Sequence, residues 1–194
     1  MIRFIHLVLA AMAMAIIPRT AFAHIGVDST ASFAAGVTHP FSGLDHIAVM
    51  VTVGLWAALK GGRALWIWPA AFVGVMLVGG ALGMAHVHVL LVEPGILASV
   101  VTLGLLVALA VDLPVWLGAV ILGVFAIFHG HAHGSEVAEN VGGIEYMAGF
   151  ALATATLHLI GIGTALTLTG WRSAIRVAGA ASAVIGVGLI TGVL

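Results

Sequence analysis

Long apolar segments separated by short polar connections make up most of the chain. The six segments are 40–59, 64–85, 94–111, 114–133, 143–169 and 173–194. Each is close to the ~20 residues that an α-helix needs to cross the hydrocarbon core of a bilayer. The connections at 60–63, 112–113 and 170–172 are too short for a separate domain. The pattern therefore predicts an all-α fold, a polytopic membrane bundle of about six transmembrane helices.

The first 23 residues have the pattern of a secretory signal peptide. Arg3 precedes an apolar run at 4–17, and residues 21–23 read Ala-Phe-Ala, a typical cleavage site. We expect cleavage there, which leaves 24–194 as one six-helix domain that begins with His24. The alternative is an uncleaved first helix, although this apolar run is short for a span. At His24 a free amine and an imidazole could chelate a metal ion, or the segment could be a flexible tail.

Composition supports a membrane protein and excludes several kinds of chemistry. Of the 194 residues, 62% are hydrophobic and 7% are charged, and the mean hydropathy is +1.26. Soluble domains carry about 25% charged residues, so lipid must surround most of this chain. The net charge of −1 and the lack of a Lys/Arg cluster argue against nucleic acid as a partner. The chain has no cysteine, which excludes thiolate sites, but it has ten histidines.

The charged residues predict how the bundle lies in the bacterial inner membrane. If the mature N-terminus is periplasmic, all the basic residues of the mature chain fall on the cytoplasmic side, as the positive-inside rule requires. These residues are Lys60, Arg63, Arg172 and Arg176. Four tryptophans near the same helix ends are typical of anchors at the membrane interface. They are Trp56, Trp66, Trp68 and Trp171.

Polar residues lie near the start of the first predicted helix. If this helix begins at Pro40, Asp45 and His46 lie roughly 9 Å below its outer end. His39 precedes His46 by seven residues and shares its face if the helix extends back that far. An ionisable group at the centre of a span costs at least ~2.5–3.5 kcal/mol, so such groups are rarely without a role. We predict His39, Asp45 and His46 as metal ligands; the alternative is that Asp45 only pairs with a neighbour to fix helix packing.

The fourth predicted helix carries a second polar stripe. Residues 114–128 would span only about 22 Å, so the helix must continue through His129 toward His133 to finish crossing. His129, His133 and Glu136 then follow at i, i+4 and i+7 on one face, at the depth of the first stripe, and His131 points elsewhere. All four are candidate ligands. Imidazole and carboxylate suit nickel, cobalt, zinc or copper(II), and the ligand types alone do not choose among these metals.

Three further histidines are candidate ligands in less defined settings. His86 and His88 follow the second predicted helix and form either a metal-collecting vestibule or an ordinary polar loop. His158 lies deep in the fifth predicted helix, with Thr154 one turn earlier on the same face. This pair is either a station on a metal path or an interhelical hydrogen bond. The scattered methionines, Met76 among them, are typical of packing residues.

Two long motifs carry most histidines of the predicted mature chain. They are His-Pro-Phe-Ser-Gly-Leu-Asp-His at 39–46 and Phe-His-Gly-His-Ala-His-Gly-Ser-Glu at 128–136. Together with the region from Tyr146 to His158, they resemble the HupE/UreJ family of hydrogenase and urease accessory membrane proteins, over essentially the whole chain. The resemblance implies nickel uptake that supplies nickel enzymes, with cobalt as the alternative metal. It also implies that the histidines and acidic residues of the two motifs handle the metal.

The leading hypothesis is an inner-membrane permease rather than an enzyme. Ni²⁺ or Co²⁺, as the transported substrate, would bind on the periplasmic side and pass His158 on its way inward. The partners are then the bilayer and the metal ion, with an indirect link to hydrogenase or urease maturation. One alternative is a metal sensor or store that does not transport, and another is a haem- or metal-dependent membrane enzyme. The sequence leaves open the coupling ion and whether the chain forms a homo-oligomer.

Overall fold

A computed structural model describes residues 29–137, 142–168 and 170–194, and its regular elements there are all helical. The α-helices in this part of the chain are α1 (Ser29–Thr38), α2 (Leu44–Lys60), α3 (Ala64–Met84), α4 (Val92–Ala108), α5 (Val115–Ser135), α6 (Gly143–Thr167) and α7 (Arg172–Thr191). A short 3-10 turn, His39–Phe41, joins α1 to α2. The predicted all-α membrane bundle is therefore confirmed.

By length and composition, the described residues contain four helices that could cross a membrane, or five spans if a bent pair of helices is counted as one. The helices α3, α5, α6 and α7 are long and apolar enough on their own, and α1 with α2 adds a fifth span if this bent pair counts as one. With 17 residues, α4 is about 26 Å long, at the lower limit for a spanning helix. The count of six spans stays a prediction. The predicted signal peptide and His24 lie outside the described residues.

The chain bends by 80° between α1 and α2. The predicted helix start at Pro40 is wrong, because Pro40 lies in the 3-10 turn and α2 begins at Leu44. Gly43 precedes α2 in an extended conformation (φ −101°, ψ 122°), which ends the turn and sets a new helix direction. The helix does not reach back to His39, so His46 lies in the first turn of α2.

The long helices alternate in direction, so their connections divide between two ends of the bundle. The histidine end holds the 3-10 turn, the α3–α4 connection and Glu136. The Lys60 end holds the α2–α3, α4–α5 and α6–α7 connections. At this end Lys60 forms an ion pair with Asp112 of the α4–α5 connection, which ties that connection to α2.

Trp56 and Trp68 lie in the core near the Lys60 end, at 1% and 0% exposure. Their rings pack with centroids 4.3 Å apart. Trp56 Nε1 donates to the Val111 carbonyl oxygen at 2.9 Å, and Trp68 Nε1 donates to that of Val115 at 2.8 Å. The prediction of interface anchors is wrong for these two residues, because their N–H groups find partners on the backbone inside the bundle.

Glycines allow α3 and α5 to pack with their backbones in contact. A Cβ atom added at Gly130 would collide with the Met76 carbonyl oxygen, and one at Gly134 would collide with that of Gly80. Small residues at such positions are typical of closely packed membrane helices. The contact fixes the register of the two helices and places His129 at the level of Met76.

Candidate metal centre

Three ligand-bearing side chains meet at the histidine end. His39 Nε2 lies 3.3 Å from Glu136 Oε2, and His133 Nδ1 lies 3.4 Å from the same oxygen. One ligand atom from each of the three residues lies within 4.8 Å of the others. Two atoms bound to one ion at ~2.0–2.2 Å are themselves about 3–4 Å apart. This group, called the rim cluster below, therefore needs little rearrangement to hold a metal ion.

Histidines keep the carboxyl group of Glu136 ionised. Glu136 follows the last turn of α5, outside the spanning segment, and its side chain is 56% exposed. Hydrogen bonds from His133 and His39 lower the pKa of Glu136 well below its ordinary value, and the charge of the two imidazoles acts in the same direction. Partial burial acts in the opposite direction and is outweighed. The rim cluster thus offers two imidazoles and a carboxylate, a set that suits a divalent transition metal.

His46 and His129 form a second, deeper group, called the buried pair below. They are 1% and 0% exposed, and their ring centroids lie 5.5 Å apart. His129 Nε2 lies 2.9 Å from Ser99 Oγ, and His46 Nε2 lies 3.2 Å from Thr154 Oγ1. Ser99 Oγ donates to the Ile96 carbonyl oxygen at 2.6 Å. Because the hydroxyl proton is used there, the Ser99 oxygen accepts from His129 Nε2–H.

The hydrogen bonds of the buried pair leave the same nitrogen free on both rings. The Thr154 hydroxyl donates toward Met76 Sδ at 3.7 Å, so its oxygen accepts from His46 Nε2–H. Nδ1 of His46 and Nδ1 of His129 are buried without a hydrogen-bond partner among the described residues. Leaving a buried polar atom unpaired costs about 1–3 kcal/mol. A neutral imidazole held in one tautomer by its other nitrogen is the usual form of a metal-binding histidine.

His133 connects the rim cluster to the buried pair. Its ring centroid lies 4.7 Å from that of His39 and 5.3 Å from that of His46. Phe150 packs against both His133 and His46, at 4.5 and 4.9 Å between ring centroids. Since His46 in turn contacts His129, four imidazoles form a continuous series from the partly exposed end of the bundle into its core.

Comparison with known proteins agrees with the two histidine motifs. The family model described as HupE / UreJ protein matches residues 12–189. The chain belongs to the HupE/UreJ family. Among curated proteins, Protein HupE of Rhizobium leguminosarum bv. viciae is 46% identical to it over 186 residues, which cover 95% of each chain. No solved structure matches the chain significantly.

Phe150 of this HupE/UreJ protein lines the imidazole series, and the sequence reasoning did not name it as a candidate. Its aromatic ring forms one wall of the imidazole series and is fully buried. Phe150, Thr154 and His158 follow at i, i+4 and i+8 on α6, which places them on one helical face. That spacing is the signal that could have identified Phe150, because the other two residues were already candidates.

Asp45 does not join the rim cluster. It is half-buried in the first turn of α2, and a Cβ atom added at Gly43 would come within 2.6 Å of its Oδ1. The carboxylate therefore folds back over the N-terminus of α2, where the helix dipole favours a negative charge. A deeper position was expected because the helix was counted from Pro40. Metal binding by Asp45 in this HupE/UreJ chain stays a prediction.

Three other predicted ligands of the HupE/UreJ chain surround the α3–α4 connection. His131 Nε2–H donates to the Val87 carbonyl oxygen at 2.8 Å, so this residue holds the connection against α5. His131 thus points away from the rim cluster, as expected from its position on the helix. His86 and His88 are exposed in the connection and lie outside the rim cluster.

His158 is the deepest of the predicted ligands. It is fully buried on α6, and neither ring nitrogen has a hydrogen-bond partner in the part of the chain that the structure describes. Its ring centroid lies 5.4 Å from that of Phe72 on α3. Thr154, one turn earlier, makes the interhelical hydrogen bond that was considered for this pair, and its partner is His46.

Proposed function

We propose that this protein is an inner-membrane permease that imports a divalent transition metal, with Ni²⁺ as the main substrate and Co²⁺ as the alternative. The observation that carries the proposal is the continuous series of imidazoles from the rim cluster into the core. A metal store or sensor needs ligands only where metal arrives. His46 and His129 lie fully buried in spanning helices, where polar groups are costly and mark ion pathways.

The geometry supports transfer by exchange of one ligand at a time. An ion captured by the rim cluster can keep His133 while it exchanges His39 for His46, because the His133 ring contacts both rings. A second exchange then brings it to the buried pair. A site on a transport path should release its metal readily, which fits a mixed, partly protonatable ligand set.

The orientation and the physiological role are part of the same proposal. The histidine end faces the periplasm, and the Lys60 end, with its basic residues, faces the cytoplasm. The imported metal supplies the maturation of nickel enzymes, which the resemblance to hydrogenase and urease accessory proteins supports. A haem enzyme is disfavoured, because the edge-to-face contact of His46 and His129 (interplanar angle 72°) leaves no space for a porphyrin between them.

Metal accumulation in nickel-starved cells without their own nickel importers tests the proposal. We expect the wild type to raise intracellular nickel, measured by mass spectrometry. His133→Ala and His46→Ala should lower this accumulation at least about 10-fold, since even partners of metal ligands contribute that much. Trp116→Ala is the matched control, because it removes an aromatic ring from the same helix as His133 at a position that is 68% exposed.

The possible outcomes distinguish a wrong substrate metal from a wrong transport function. A rise in cobalt without nickel would leave the permease in place and change its substrate. If no metal accumulates in cells with confirmed membrane expression, the protein is a sensor, a store or an enzyme, and import is refuted.

A further inference from the structure

On the Lys60 side of the buried pair, successive turns of α3 pack against successive turns of α6. Thr154 Oγ1 lies 3.7 Å from Met76 Sδ, and the His158 ring lies 5.4 Å from the Phe72 ring. All four side chains are fully buried. Met76 and Phe72 are one turn apart on α3, and so are Thr154 and His158 on α6. The two contacts therefore place the His158 imidazole within one helical turn of the Thr154 hydroxyl and the Met76 thioether.

His158 differs from the other buried histidines in its hydrogen bonding. His46 and His129 each have one ring nitrogen bonded to a hydroxyl group. Both ring nitrogens of His158 are buried without a partner among the described residues. A neutral imidazole has one N–H donor and one acceptor lone pair, so His158 has two unsatisfied polar atoms. Such an exception in a packed core calls for an explanation, and a bound ligand is one.

We propose that His158, Thr154 and Met76 form a further binding site for the divalent transition metal. This site is fully buried and lies one helical turn deeper than the buried pair. The inference rests on the permease function proposed above. Thr154 links the two levels, because its hydroxyl contacts His46 Nε2 on one side and Met76 Sδ on the other. An ion that leaves the buried pair meets the Thr154 oxygen first, and then the thioether and the imidazole.

The thioether of Met76 makes this deeper site selective. Soft sulfur ligands favour late transition metals, whereas Mg²⁺ and Mn²⁺ prefer oxygen ligands. The sequence pattern assigned Met76 to packing, and the contact with Thr154 is what changes its assignment. Because the chain has no cysteine, methionine is its only source of sulfur for a metal.

X-ray absorption at the nickel edge tests the site on the purified full-length protein, saturated with Ni²⁺. We expect sulfur in the coordination shell of the wild type, its loss in Met76→Leu and its retention in Met147→Leu. Met→Leu nearly conserves volume and is tolerated well in packed cores. Met147 is the matched control because it is also buried and packs against Gly80. Wild-type nickel without sulfur, or sulfur that persists in Met76→Leu, would overturn the proposal.

Nickel binding and uptake by His158→Leu give a second test. We expect this variant to bind one equivalent fewer than the wild type and to take up ⁶³Ni²⁺ into reconstituted vesicles at least about 10-fold more slowly. Wild-type stoichiometry and rate would refute the deeper site and leave the permease function intact. Conversely, a wild type that binds nickel through sulfur but does not accumulate it in vesicles would refute the permease and leave the site standing.

Discussion

His133 has a central position among the imidazoles. It faces Glu136 at the exposed end of α5, and its ring contacts His39 and His46. His39, in contrast, belongs to the rim cluster only. Loss of His133 should therefore affect both capture of the metal and its transfer inward, whereas loss of His39 should affect capture alone.

Glu136→Gln should weaken metal binding by a similar factor at every pH between 5 and 8. Hydrogen bonds from His133 and His39 hold the pKa of Glu136 below its ordinary value, so this carboxylate stays ionised across that range and is available to the metal throughout. The ratio of the wild-type affinity to the variant affinity should therefore stay constant, which calorimetry at several pH values measures. A ratio that falls toward one as the pH is lowered from 8 to 5 would contradict the assignment.

The pairing of α3 with α5 determines where the ligands of α5 lie. Backbone contact at Gly130 and Gly134 fixes the height of His129 and His133 against α3. His39 depends on a different element, the 3-10 turn before α2, and reaches the same place because the chain bends there. The rim cluster therefore depends on a helix contact, which sets the height of His133, and on a turn, which carries His39.

Gly130→Ala should destabilise the fold, because the added methyl group meets the Met76 carbonyl oxygen and forces α3 and α5 apart. Overpacking of this kind costs about 1–3 kcal/mol. Gly163→Ala on α6 is the matched control, since its Cβ atom would meet nothing within 4 Å, and it should stabilise the helix by roughly 0.5–1 kcal/mol. Thermal unfolding in detergent measures both. A Gly130→Ala protein as stable as the control would show that the contact is not tight.

For the whole molecule, the absence of cysteine makes the proposed orientation directly testable. Val87, in the α3–α4 connection, and Leu109, at the end of α4, are 45% and 65% exposed at opposite ends of the bundle. In intact spheroplasts, an impermeant maleimide should label Val87→Cys and should label Leu109→Cys only after lysis. The unsubstituted chain is the background control. The reverse labelling pattern would overturn the orientation.

Sequence patterns predicted the helices better than the contacts between helices. The short apolar run before His129 required α5 to continue toward His133, and it does. The bend before α2 was missed, although Pro40 and Gly43 on either side of it are typical of a break. The contacts of His129 with Ser99, and of Met76 with Thr154, depend on the relative heights of different helices, which no periodicity along one segment encodes.

Trp56 and Trp68, whose rings are in contact, lie on the Lys60 side of Phe72 and therefore beyond His158 along the path from the histidine end. Both indole N–H groups donate to backbone carbonyl oxygens, that of Val111 in the α4–α5 connection and that of Val115 at the start of α5. In the proposed permease, these tryptophans separate the imidazoles from the Lys60 end, so the protein would act as a carrier and not as an open pore. We expect each ion to require a change of shape, on the μs–ms timescale of collective helix motions. Delivery would then saturate, and the number of protein copies in the membrane would limit it more than the metal concentration outside.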